Sequence, residues 1–305
     1  MTALLQQTTI ATYVLIGALS LTAVWYAWRW WSTERRRPVP ATRKLRPGDT
    51  LLGFVTNFFD TLGIGSFAPT TSIFKLCARM PDEQIPGTLN TGHALPTLVQ
   101  ASIFIGVVKL DPATLISMIV AAVMGAWIGA DVVARLPQRL IQAGMGAALF
   151  VAALVFVATN LGWLPGGGDA LGLTGTQLAA AIVVNFFLGA LMTLGVGLYA
   201  PCLVSISLLG MNPLAAFPIM MGSCAFLMPI GGVRFIRAGR YDPRAALGLA
   251  IGGIPGVLIA AFIVKSLPIG WLRWLVAVVV AYTAMVMLYS ARMQKDRMVS
   301  STPSL

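Results

Sequence analysis

The chain has 305 residues, 57% of them hydrophobic and only 10% charged, with a mean hydropathy of +0.83. A soluble domain carries about 25% charged residues to face water, so this composition excludes one and calls for apolar helices in a lipid bilayer. The net charge of +11 is no nucleic-acid signature, because the 21 Lys and Arg fall in short stretches between apolar runs, the positive-inside bias of membrane proteins.

In chain order the apolar pattern predicts nine segments, at about 9–32, 49–79, 86–108, 112–134, 137–160, 175–209, 212–234, 243–265 and 268–291. The N-terminus lacks a basic region and an A-x-A cleavage site, so residues 1–33 read as a retained transmembrane helix. That helix ends in an interfacial belt of Trp25, Tyr26, Trp28, Trp30 and Trp31. A basic loop, 34–48, follows; seven of the Lys and Arg lie between Arg29 and Arg46, where anionic lipid headgroups can meet them.

Segments 49–79 and 175–209 are too long for one simple span, and Gly-x-Gly followed by Pro interrupts each. The interruptions match one another: TLGIGSFAP (Thr61–Pro69) and TLGVGLYAP (Thr193–Pro201) are identical at six of nine positions. Asn57-Phe58-Phe59 precedes the first and Asn185-Phe186-Phe187 the second. Pro81 and Pro213 follow at the spacing of Pro69 and Pro201, and Gly125–Pro137 matches Gly256–Pro268. A collinear set of matches predicts a duplication, with a first repeat at 49–160 and a second at 175–291.

Charge sets the expected topology. If all nine segments cross, the loop with Arg135 and Arg139 lies outside, and the loop 161–174, whose only charge is Asp169, lies inside. If both broken segments dip in and return, every basic loop becomes cytoplasmic, with 161–174 and Gly210–Asn212 external. Each repeat is then a re-entrant hairpin plus three spans, so the second is inserted upside down. The N-terminus lies outside, and the tail 292–305 is cytoplasmic. Two kinked spanning helices are the alternative.

At the breaks, Gly65 and Gly197 supply unusual backbone angles, and Pro69 and Pro201 suit the start of a second half-helix. Such a start carries roughly half a positive charge and free N–H groups, a ready anion site with no buried Lys or Arg. The expected donors are the N–H groups of residues 70–72 and 202–204. Thr70, Thr71 and Ser72 follow Pro69, and Cys202 and Ser205 follow Pro201, as oxyanion donors or as local caps. Asn57 and Asn185 either line the same cavity or bond between helices.

The span at 86–108 is unusually polar, with Asn90, Thr91, His93 and Gln100, and its counterpart holds Ser223 and Cys224. His93, the single histidine, fits an anion ligand, a proton carrier or a structural bond to a neighbouring helix. Asp60, beside the first break, is a second candidate for coupling to protons; its counterpart is Met192. Asp131 pairs in this reading with Arg135, about one turn on. Three isolated cysteines, one histidine and few acids form no triad, metal cluster or nucleotide loop, so no catalytic group, metal or cofactor is expected. No feature of the sequence sets an oligomeric state.

The repeated glycine break ending in Pro, GIGSFAP with its copy, and the stretch GAWIGADVVARLP resemble the sulfite exporter TauE/SafE family of permeases, from about Thr50 to Ser290. Two departures bear on substrate: Ser66 and Phe67 stand where the family often has a longer glycine run, and Thr91-Gly92-His93 replaces a common Thr-Ser pair. The resemblance implies transport of a small sulfur oxyanion or sulfonate, such as sulfite or sulfoacetate, across the inner membrane without ATP. A rival reading is uptake of thiosulfate or a similar anion with Cys202 and Cys224 as ligands. A passive anion channel, or an assembly factor without transport, stands further off.

Overall fold

The computed structural model describes residues 2–36, 45–128, 138–163, 168–192, 197–266 and 269–300. Twelve helices are described: α1 (Thr2–Arg35), α2 (Pro47–Thr61), α3 (Phe67–Leu76), α4 (Ile85–Gly92), α5 (Ala94–Val107), α6 (Pro112–Ile128), α7 (Gln138–Asn160), α8 (Gly175–Met192), α9 (Tyr199–Leu208), α10 (Ala216–Ala238), α11 (Pro243–Ser266) and α12 (Ile269–Ser300). Six stretches, in α1, α7, α8, α10, α11 and α12, are long and apolar enough to cross a membrane. No strand occurs among the described residues, and the fold is that of an all-α polytopic membrane protein.

Two boundaries differ from expectation. The span at 86–108 is divided at His93, where Pro96 brings no N–H for the Gly92 carbonyl one turn back. The neighbouring carbonyl, that of Thr91, accepts from the Tyr26 hydroxyl of α1 at 2.9 Å. The tail expected from residue 292 continues α12 to Ser300, because no Gly or Pro interrupts that stretch. Asp131, Arg135, and residues 37–44 of the basic loop lie outside the described residues.

Contacts sort the helix ends into two groups. At one end Arg79, just past α3, pairs with Asp49 at the start of α2 (3.5 Å). There, too, Asp242 N–H donates to Thr88 Oγ1, and Tyr241 donates to Glu34 while accepting from Trp30 Nε1. At the opposite end Asp111 N–H donates to the Leu171 carbonyl (2.8 Å), and Asn212 N–H to the Ala170 carbonyl (2.9 Å). The α2–α3 hairpin therefore returns to the end it leaves, close to Arg46, Arg79, Arg240 and Arg244. The α8–α9 hairpin does the same at the opposite end, beside Asp111 and Asp169.

Glycine decides which helices meet. A β-carbon on Gly252 would lie 1.8 Å from the Thr50 carbonyl oxygen, and one on Gly256 2.4 Å from that of Phe54. Only bare backbone allows α11 to lie so close along α2, the small-residue packing that replaces hydrophobic force between helices in lipid. The pair α6–α8 repeats the arrangement, Gly125 against the Phe186 carbonyl and Gly189 against that of Ala122. Contacts advance in step in both pairs, so the helices of each run parallel. Gly53 and Asn57 meet Leu249 and Gly253, just as Asn185 and Gly189 meet Met118 and Ala122. By contrast α4 and α5 run antiparallel to α10: Gly87 meets Phe235, Asn90 meets Gly231, and Phe104 stacks on Phe217 at 5.2 Å.

These contacts also fix the register between the two series of helices. Phe54 faces Gly256 as Phe186 faces Gly125, and Asn57 faces Gly253 as Gly189 faces Ala122. Asn185 thus corresponds to Gly53 and not to Asn57, so the matching Asn-Phe-Phe triplets are offset by one helical turn. A side chain forced between α11 and α2 is expected to cost about 1–3 kcal/mol. Gly252→Val should therefore lower the unfolding temperature of the purified protein. Gly144→Val, on α7 with open space at its β position, should leave it nearly unchanged.

Candidate functional site

Helix α2 ends at Thr61, and the chain turns through Gly63 (φ +97°) and Gly65 (φ +87°) before α3 begins. Both angles lie in the left-handed region, which a side chain would strain. Helix α3 starts at Phe67, with Ser66 as its N-cap, so Pro69 is the third helical residue and not the first. Any first-turn position tolerates Pro, since no N–H there has an intrahelical acceptor. The amides without such acceptors belong to Phe67 and Ala68, while Thr70 N–H already donates to Ser66. This corrects the expectation of free donors at 70–72. Of the second break, residues 193–196 lie outside the described residues. There α9 begins at Tyr199, and Cys202 N–H donates to the Leu198 carbonyl, which likewise displaces the expected donors at 202–204.

The first break is occupied by the protein's own carboxylate. Asp60 is 4% exposed and accepts from Ser66 N–H through Oδ1 at 2.6 Å. With its amide oriented to suit its neighbours, Gln100 of α5 donates to Asp60 Oδ2 (3.0 Å) and accepts from Thr61 N–H (3.2 Å). Tyr199, the first residue of α9, places its hydroxyl 3.4 Å from the same amide and so lies beside Asp60. One carboxylate and its amide partner therefore tie together α2, α3, α5 and α9.

One turn away, His93 is fully buried and has a partner on each ring nitrogen. Nδ1 lies 2.9 Å from Asn57 Nδ2 and 3.2 Å from Asn57 Oδ1, and Nε2 lies 3.2 Å from Thr70 Oγ1. Asn57 Nδ2 also donates to the Gly53 carbonyl (2.8 Å), and Phe67 packs its ring on the imidazole. The sequence-derived candidates Asn57, Thr70 and His93 thus form one network that joins α2 to α3.

In the second half, Asn185 donates to the Met118 carbonyl (2.7 Å) and to Ser223 Oγ (3.3 Å), and its Oδ1 is buried without a partner. Cys202 and Cys224 are both buried thiols, and Cys224 Sγ lies 3.4 Å from Met192 Sδ. Cys202 stands 132 residues beyond Thr70 and Cys224 131 beyond His93, so two thiols hold the places of the hydroxyl–imidazole pair. Pro201 and Ser223 are buried. Thr71 is half-buried, Gly197 is exposed, and Ser72 is exposed with its hydroxyl turned back onto the Ala68 carbonyl. Ser72 is therefore no part of an interior donor set, because its helix face points outward.

Sequence reasoning left three contributors out of the site, Ser66, Gln100 and Tyr199. The signal for Tyr199 was its alignment with Phe67 across the two breaks. No Lys or Arg is buried among the described residues, and no group of three metal-ligating side chains is placed to hold a metal there. A groove of about 560 Å³, lined by Leu45, Pro47, Leu51 and Pro255, is apolar and lies at the start of α2, away from the breaks.

A broken helix with polar groups gathered where it turns, inside a polytopic α-helical protein, is a recurring feature of membrane permeases. The chain belongs to the family described as Sulfite exporter TauE/SafE, which it matches over residues 1–156 and 178–304. The match starts at residue 1, so α1 falls within it and not before it as the resemblance from Thr50 implied. No curated protein and no solved structure matches the chain significantly.

His93→Ala removes a partner from both Asn57 and Thr70 in a fully buried site. It is expected to destabilise the protein by about 1–3 kcal/mol, read as a lower unfolding temperature in detergent. A variant that keeps its unfolding temperature while losing anion binding would instead make His93 a ligand.

Proposed function

We propose that the protein is a secondary transporter of a small sulfur-containing anion (sulfite, a sulfonate or sulfoacetate), held between the N-termini of α3 and α9 near the middle of the inner membrane. The supporting observation is that each broken segment returns to its starting end, which leaves both half-helix N-termini in the interior, in a chain of the sulfite exporter family. In this reading the two series of helices are repeats of opposite orientation, the N-terminus is outside and the C-terminus cytoplasmic. The antiparallel packing of α4–α5 on α10 and the clustering of Arg at one end support that arrangement.

The physics of the site suits an anion. A helix N-terminus offers N–H donors and a partial positive charge without a mobile cation. Exposing this site alternately to either side carries the anion across with no ATP. A second reading rests on Cys202 and Cys224: thiols at the places of Thr70 and His93 favour a substrate with an exposed sulfur, such as thiosulfate.

A binding screen of sulfite, sulfate, thiosulfate and short sulfonates against the purified protein separates the two. Anion flux in proteoliposomes that vanishes in Cys202→Ser and survives His93→Ala selects thiosulfate-type recognition. Pro69→Leu and Pro201→Leu, which disturb the first turns of α3 and α9, should each reduce flux more than Leu substitution of Pro243 at the start of α11. Equal tolerance at all three positions would overturn the half-helix site, and conductance without saturation would make the protein a channel.

A further inference from the structure

The donors gathered at the first break already hold an anion, and it is covalently part of the chain. Ser66 N–H and Gln100 converge on Asp60 from the start of α3 and from α5, and the Tyr199 hydroxyl of α9 lies 3.4 Å from the Gln100 amide that holds it. An oxyanion brought to the start of α3 meets the free amides of Phe67 and Ala68 beside the Ser66 N–H and Gln100 amide that Asp60 already holds. Two neighbouring negative charges in a site without Lys or Arg repel one another, so carboxylate and substrate cannot share it. At the matching position of the second half Met192 stands in place of Asp60, its sulfur 3.4 Å from Cys224 Sγ.

We propose that Asp60 is a tethered stand-in for the transported anion and gives up its donors by taking a proton. The carboxylate plus one proton becomes a neutral carboxyl group, Ser66 N–H and the Gln100 amide are released, and a monoanion takes their hydrogen bonds. The net charge of the site is the same before and after. Each anion bound thus brings one proton with it, and its departure returns the proton and restores the Asp60–Ser66 bond. The inference rests on the anion-transport reading and adds the coupling ion to it. The other ionisable groups bearing on Asp60 are Tyr199 of α9 and Cys224 of α10. His93 is occupied by Asn57 and Thr70 and is not needed for the exchange. Tyr199 has a further part: as the first residue of α9 it reports the state of Asp60, through Gln100, to the second break.

The test uses full-length protein in detergent with methanesulfonate and sulfate, neither of which changes charge between pH 5.5 and 8.5. Calorimetry in buffers of different ionisation enthalpy counts protons taken up on binding. Wild type is expected to take up about one proton per anion, and its affinity should fall up to about tenfold per pH unit as the pH rises. Asp60→Asn should bind with no proton uptake and no pH dependence, whereas Asp60→Glu, which keeps a carboxyl group, should retain both. Unfolding temperatures of the three proteins check that the fold survives. Identical proton uptake in wild type and Asp60→Asn overturns the role of Asp60 while leaving anion transport standing. Failure of every protein to bind either anion, sulfite or thiosulfate at any pH overturns the transport reading and this inference with it.

Discussion

A backbone that stops being helical inside a bilayer must find a partner for every N–H and C=O it releases, because the hydrocarbon offers none. The interior of this protein is arranged around that constraint. Where α2 ends, Asp60 and Gln100 meet the amides of Ser66 and Thr61. Where α4 gives way to α5, the Tyr26 hydroxyl meets the Thr91 carbonyl. Glycines against α2 and α8 bring the helices near enough to bury Asn57, Asp60 and Asn185 between them. The anion site we propose rests on such an interior, with helix N-termini and no buried Lys or Arg among the described residues.

Much of this was written in plain features of the sequence. The apolar runs, Gly63 and Gly65, and Pro69 with Pro201 located the breaks, since glycine accepts those angles without strain and Pro suits a first helical turn. What escaped had no local mark. The division at His93 follows from Pro96 together with a hydroxyl on α1, contributed from far away in the chain. The Asp60–Gln100–Tyr199 cluster joins three helices whose residues share no motif, and Tyr199 differs from Phe67 by a single oxygen. Pro69 was placed two residues too early in its helix because all three first-turn positions tolerate proline. The Asn-Phe-Phe triplets misled by one turn, since Asn and Phe recur on helix faces and only the contacts with Gly125 and Gly256 set the register.

The matched positions of the two halves have parted in chemistry while keeping their places. Thr70 and His93 form a hard hydrogen-bonding pair; Cys202 and Cys224 present soft thiols, Cys224 beside Met192. Asp60 has no acidic counterpart.

The reciprocal bedding of α2 on α11 and of α8 on α6 also bears on how the protein is made. Gly53 packs against Leu249 and cannot do so until the ribosome has synthesised nearly all of the chain between them. At ordinary translation speeds the α2–α3 hairpin waits roughly 10–40 s for its partner. Throughout that interval its polar turn must be sheltered by the insertion machinery or by neighbouring spans. The hairpin that gives the permease its interior is therefore among the later parts of the chain's first half to reach its final surroundings, ahead of α7, whose Gly146 waits for Leu288 of α12.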